Sequence, residues 1–360
     1  MAMEALGNSA HQASRNIRLD VLRVIGVLVI VIAHADPPAF LAQLRNFGTP
    51  LLIVVSGLTF AYIYAERTLH ARDFFKRRLA RLLFPVWLFL SVFFGIFLLA
   101  DVLLGKEFPF ARDEVLLTFA LYGGIGYVWI FKVYVYLALM TPFALRFSAS
   151  AISNSRYLAL LAIALSLNWL LVAWVHGSSD ARSTEVLDAL LFVIVPYAVL
   201  YLYGMRLSSL KTSTILLISA VALVVFYAMA AARMDEVGVF VPTQADKYPP
   251  GPYYLSYALA AVNLVYLGAR AVPPMSRFLR SAIIWLSANA MWIYLWHILG
   301  IYIWAYALGP RPQSYAGTAA MTLWIVLFGV LATAAHRSFS RAFLASSKHA
   351  LLRHIASVLR

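Results

Sequence analysis

Cysteine is absent from the 360 residues, which excludes disulfide staples, thiolate ligands and a cysteine nucleophile. Charge is scarce too. Asp, Glu, Lys and Arg make up 12% of the chain, about half the ~25% usual for a soluble domain. Acidic residues are scarcer still, 15 against 29 Lys plus Arg, so the formal net charge is +14. No polar stretch is long enough to build a separate soluble domain, and no internal or inverted repeat is evident. A cleavable leader is not expected. Residues 1–14 are polar, and the first apolar stretch lacks a small-residue cleavage pattern.

Apolar residues are what the chain has in excess. They make up 63% of it, with a mean hydropathy of +0.81. That composition predicts an all-α polytopic membrane protein. About ten spans are expected, near 19–35, 48–64, 82–104, 127–145, 157–175, 186–205, 214–231, 253–269, 282–307 and 316–335. Each is close to the ~20 residues that cross a bilayer. A shorter piece, 115–122, is expected to dip in without crossing. Residues 1–14 form a tail, 15–337 the membrane domain, and 338–360 an amphipathic tail lying on the inner leaflet.

The basic residues fall unevenly between alternate connections. One side holds 21 of the 29, the other seven, and Lys132 lies inside a span. The positive-inside rule then puts both termini in the cytoplasm. The positive charge is therefore read first as a topology signal, and nucleic acid is not an expected partner.

Ionisable groups inside spans are expensive and by default mark function. Arg23 and His34 lie eleven steps apart in the first span, three full turns plus about 20°, so they share a helix face. His34 suits a general base, with Asp36 as its orienting carboxylate. It also suits a plain interfacial histidine. Arg23 follows Asp20 by three residues, so a simple ion pair is a second reading. Arg78 and Arg81, three apart before the third span, suit phosphate, or orientation alone. In the fourth span Trp129 and Lys132 are candidate substrate contacts. Asn289 and His297 in the ninth need buried partners. Tyr253 and Tyr254, after the proline-rich segment Lys247-Tyr248-Pro249-Pro250, fit either a binding surface or an aromatic belt.

Together these motifs resemble membrane-bound acyltransferase family 3, whose members O-acylate polysaccharides, glycolipids and related acceptors. The matching residues are Leu19-Asp20-Val21-Leu22-Arg23 with His34 ten residues on, and Thr49-Pro50 through Ser56-Gly57. Arg78-Leu79-Ala80-Arg81 with Pro85-Val86-Trp87, Val128-Trp129-Ile130-Phe131, the segment from Lys247 to Tyr254, and Trp292 through His297 complete the set. The resemblance implies a ten-helix transferase that uses cytoplasmic acyl-CoA. It implies essential roles for Arg23 and His34 and a functional one for Arg78 and Arg81.

The expected reaction moves an acyl group, acetyl first among the options, from acyl-CoA to a hydroxyl of an extracytoplasmic glycan or glycolipid. Arg78, Arg81 and Arg23 hold the phosphates. His34 acts as base or as transient acyl carrier, and Lys132 or His297 stabilises the oxyanion. No metal is expected. The setting is a bacterial inner membrane, with lipid around the bundle and the oligomeric state open. A transporter or flippase for an anionic lipid or glycan, and a non-catalytic scaffold, are the rival readings.

Overall fold

The computed structural model describes residues 15–65, 69–178, 180–312 and 314–346. Its elements are helical: α1 Ile17–His34, α2 Ala39–Leu44, α3 Gly48–Ile63, α4 Ala71–Leu104, α5 Arg112–Phe119, α6 Trp129–Ser148 and α7 Asn154–Ser178. They continue as α8 Ala181–Leu187, α9 Ile194–Leu207, α10 Thr212–Val237, α11 Pro252–Arg270, α12 Arg277–Ala288, α13 Ala290–Ala307 and α14 Tyr315–Ser346. There is no β-strand among the described residues.

All ten expected spans fall on helices, with local departures. The ninth is broken at Asn289 into α12 and α13, and the sixth starts with a π-helical turn, Asp188–Phe192, before α9. Residues 115–119 of the 115–122 segment lie in the short α5, and 120–122 follow its end. Residues 1–14 of the expected N-terminal tail lie outside the described residues. Residues 338–346 of the expected C-terminal tail continue α14, which runs from Tyr315 to Ser346. The rest of that tail, 347–360, also lies outside the described residues.

Among the described residues, seven helical stretches are long and apolar enough to cross a membrane, one of them, Ala39–Tyr64, running through α2 and α3. The expected spans outside that set are α1, α9 and α11. α1 carries Arg18, Asp20 and Arg23, α9 has only 14 residues, and α11 is rich in tyrosine. These three are enclosed by other helices. Most of α9 and about half of α11 are buried. A helix surrounded by protein need not match lipid in length or polarity. By contrast α7 and α10 sit outermost. α7 exposes Leu160, Ile163, Leu167, Leu170 and Trp174, and α10 exposes Leu217, Val221 and Val224.

α1 is the hub and packs against α3, α11, α12, α13 and α14. Asn16 caps it by accepting from the Arg18 amide. It ends at His34, and Asp36 takes a left-handed backbone (φ 52°) before Pro37-Pro38. α3 and α9 meet backbone to backbone. A Cβ on Gly57 would lie 2.0 Å from the Tyr201 carbonyl oxygen, and one on Gly204 2.2 Å from that of Val54. Only glycine allows this approach. α4, with 34 residues, is about 50 Å long and overreaches a ~30 Å hydrocarbon core. Its basic first turns therefore extend past the apolar zone.

Candidate active site

Seven helices, α1, α3, α4, α6, α11, α12 and α13, line two adjoining chambers. "Inner" and "outer" here follow the basic-residue asymmetry of the sequence. The inner chamber is a cavity of about 620 Å³ lined by Arg23, Arg78 and Arg81 with Ser56, Tyr134 and Ser287. The outer chamber is small, about 30 Å³, and is lined by His34, Arg45, Asn46, Thr49, Trp129, Lys247, Tyr248 and Tyr254. Ile130 and Tyr294 line both chambers, so the two share those walls. The shared face predicted for Arg23 and His34 is the face of α1 that lines these chambers.

Arg23 is held in place by three helices. Its Nη1 donates to Ser287 Oγ at 2.8 Å and its Nη2 to Thr59 Oγ1 at 3.2 Å. Ser287 in turn donates to Asp20 Oδ1 at 2.5 Å. Asp20 is only 2% exposed. It accepts two bonds from Arg15, both 2.7 Å, and lies 3.5 Å from Arg23. A buried carboxylate is stable only with such partners. Arg23 thus pairs with Asp20 and also lines the cavity. Arg78 stacks over Phe60 at 5.1 Å, and its Nε is buried with no hydrogen-bond partner.

In the outer chamber the partner of His34 is His297. His34 Nδ1 lies 2.7 Å from His297 Nε2, with the rings stacked at 5.0 Å. His297 Nδ1 contacts the Tyr294 carbonyl oxygen. That oxygen can only accept, so His297 carries its proton on Nδ1 and its Nε2 accepts. His34 must then donate from Nδ1, which leaves the lone pair on its Nε2 as the basic site. The Tyr127 ring meets His34 edge-on at 4.9 Å, and the Tyr294 hydroxyl donates to the Tyr127 carbonyl at 2.6 Å.

The other expected site residues are distributed as follows. Trp129 and Tyr254 line the outer chamber. Asp36 is exposed just past α1, and His297 occupies the position expected of it beside the imidazole. Helix α1 ends at His34, before Asp36, which takes a left-handed backbone. Lys132 sits over the Tyr122 ring at 5.4 Å and lines neither chamber. Tyr253 stacks on Phe226 and donates to the Val241 carbonyl, a packing role outside both linings. Asn289 closes the end of α12. It donates to the Trp285 carbonyl at 2.7 Å and accepts from Arg337 Nε at 2.5 Å.

Arg45 and Lys247 are the residues that sequence reasoning did not single out. Both had counted only as outer basic residues. The only sequence signal was the proline-rich motif that carries Lys247. Burial, reinforced by repulsion from Arg45, lowers the Lys247 ammonium pKa to about 7.

The family model described as an acyltransferase domain, that of acyltransferase family 3, matches residues 16–335. The chain belongs to acyltransferase family 3. Neither a curated protein nor a solved structure matches it. The match takes in α1 through most of α14, hence both chambers. The protein is a multi-pass membrane acyltransferase, and the transporter and scaffold readings give way to an enzyme.

Proposed function

We propose that this acyltransferase moves an acyl group, acetyl in the simplest case, from a cytoplasmic acyl-CoA to a hydroxyl of an extracytoplasmic glycan or glycolipid in a bacterial inner membrane. One observation carries the reading. The arginine-lined inner chamber and the imidazole-lined outer chamber share walls at Ile130 and Tyr294. A donor with a phosphate-bearing end and a long thin arm suits such a shape. Arg23, Arg78 and Arg81 hold the phosphates, and the unpartnered Nε of Arg78 gains an acceptor when they arrive. The arm passes between Ile130 and Tyr294 and brings the thioester to His34.

His34 Nε2 then takes the proton of the acceptor hydroxyl as its oxygen attacks the thioester carbonyl. The imidazolium so formed is supported by His297, whose Nε2 accepts from His34 Nδ1. His297 is thus a positioning residue, in the place that a carboxylate takes in other triads. Lys247 or Arg45, both in the outer lining, faces the developing oxyanion. The carbon–sulfur bond breaks, and the thiolate leaves with the proton from His34. A hydroxyl needs this help, being almost wholly protonated at neutral pH.

The test is purified protein in nanodiscs with acetyl-CoA labelled in the acetyl group and a mixed glycolipid extract as acceptor. Label in the glycolipid fraction, released by mild alkali as acetate, supports the ester. Label that never leaves CoA, with active-site folding intact, rules the reading out.

A further inference from the structure

The outer chamber holds more positive charge than the protein answers. Arg45 and Lys247 line it beside His34, and no Asp or Glu does. Asp36 is exposed outside that lining, and its charge bears on Arg45. The Nε of Arg45 is buried without a hydrogen-bond partner. Lys247 is held near the ring of Tyr248, its ammonium 5.4 Å from the centroid. An orphaned buried donor and two cations placed together are costs that packing alone does not explain. An incoming anion removes both.

The size of the chamber narrows the choice. Its free volume of about 30 Å³ has room for roughly two water-sized groups. The two oxygens of a carboxylate fill that space, whereas a sugar ring does not. Two separate donor groups suit a two-oxygen acceptor. Trp129 and Tyr254 also line it, and bulky side chains around so small a space leave little water to weaken an ion pair formed there.

We propose that the outer chamber binds a substrate carboxylate, gripped by Arg45 and Lys247 next to His34. This rests on the acyl-transfer reading and sharpens it, because the carboxylate has two sources. It is the free end of a dicarboxylic acyl group, such as succinyl, or it belongs to an acidic sugar of the acceptor. The lowered ammonium pKa of Lys247 agrees with an anion that arrives with the substrate.

The test uses matched pairs that differ only in charge: succinyl-CoA against butyryl-CoA, and methyl glucuronoside against methyl glucoside. Half-saturation is read from the rise in thermal unfolding temperature of the purified, detergent-solubilised protein. In one pair the charged member should half-saturate at a concentration about tenfold lower, the gain expected of one charge-assisted hydrogen bond. The pair that responds names the source. Arg45→Gln and Lys247→Met should each shrink the preference to about threefold or less, and Lys247→Arg should retain it. Unchanged acetyl-CoA binding shows that the variants are folded. Equal half-saturation within both pairs in the wild type overturns the proposal, as does an undiminished preference in the folded variants. The readout is binding, so a failure of acyl transfer itself shows separately, as missing product with every donor.

Discussion

The two chambers differ in more than volume. The inner one is wide, about 620 Å³, and one of its three arginines is tied down by Asp20, Ser287 and Thr59. The outer one is about 30 Å³, walled by aromatic rings and by His34, whose imidazole is coupled to that of His297 behind it. Wide, pre-positioned positive charge suits docking of a polyanion. A tight space with little room for water suits proton transfer, because each electrostatic contact there is stronger. The contrast implies that inner residues govern donor affinity and outer residues govern turnover.

The largest expected effect lies in the outer chamber. His34→Ala should lower kcat by about a thousandfold, within the range for loss of a general base, with acyl-CoA binding unchanged. Steady-state rates beside a binding isotherm check this, and a tenfold rise in Kd with normal kcat would contradict it. Next comes the inner chamber. Arg78→Ala and Arg81→Ala should each raise KM for acyl-CoA by roughly 10–100-fold, as loss of a charged hydrogen bond predicts. Their kcat should stay within a few-fold. A pure kcat effect would blur the division between chambers.

A smaller effect follows from pH. The Lys247 ammonium pKa is about 7, lowered mainly by burial and then by Arg45. Between that value and the unfolded lysine value, the unfolded chain binds more protons than the folded one. Lysine linkage therefore makes the protein more stable as pH rises through that window. Its grip on an anion goes the other way and fades above pH 7. The charged and titratable groups around it are Arg45, Tyr248, His34 and Tyr254. Anion binding titrated from pH 6 to 8.5 should weaken in wild type and stay flat in Lys247→Arg, whose guanidinium keeps its proton.

The smallest effect is expected outside both linings. Lys132→Met should change kcat and KM by less than about twofold, since exposed or peripheral charges contribute little. A large KM change would mean that Lys132 reaches the passage. Gly57→Ala makes a separate contrast. Its Cβ collides with the Tyr201 carbonyl, so α3 and α9 must part, and the unfolding temperature should fall clearly. Gly95→Ala, where nothing lies within 4 Å of the new atom, should leave that temperature within about a degree or two or raise it slightly.

Much of this was readable along the chain. The shared face of Arg23 and His34 follows from helical periodicity alone, and the structure puts both on the passage. The Arg78 and Arg81 pair was legible for the same reason. What one helix cannot show is a partner 263 residues away, so His297 was expected near the chemistry but not as the partner of His34. Asp36 looked better placed because it is two residues off. In the structure His34 Nδ1 pairs with His297, and Asp36 lies exposed beyond the helix end. Lys132 drew attention as a charge inside a span, yet it turns toward Tyr122. Arg45 and Lys247 sit in connections, where a basic residue reads as a topology signal until the fold brings the two together.

The division of labour depends on the two chambers forming one route through the shared Ile130 and Tyr294 walls. Ile130→Trp, with Ile130→Ala beside it, tests that most directly by comparing acyl-CoA binding with acyl transfer in the same preparation. The tryptophan variant should bind acyl-CoA normally and lose transfer by at least a hundredfold, while the alanine variant should keep it. Full transfer through the tryptophan variant would contradict a single connected route.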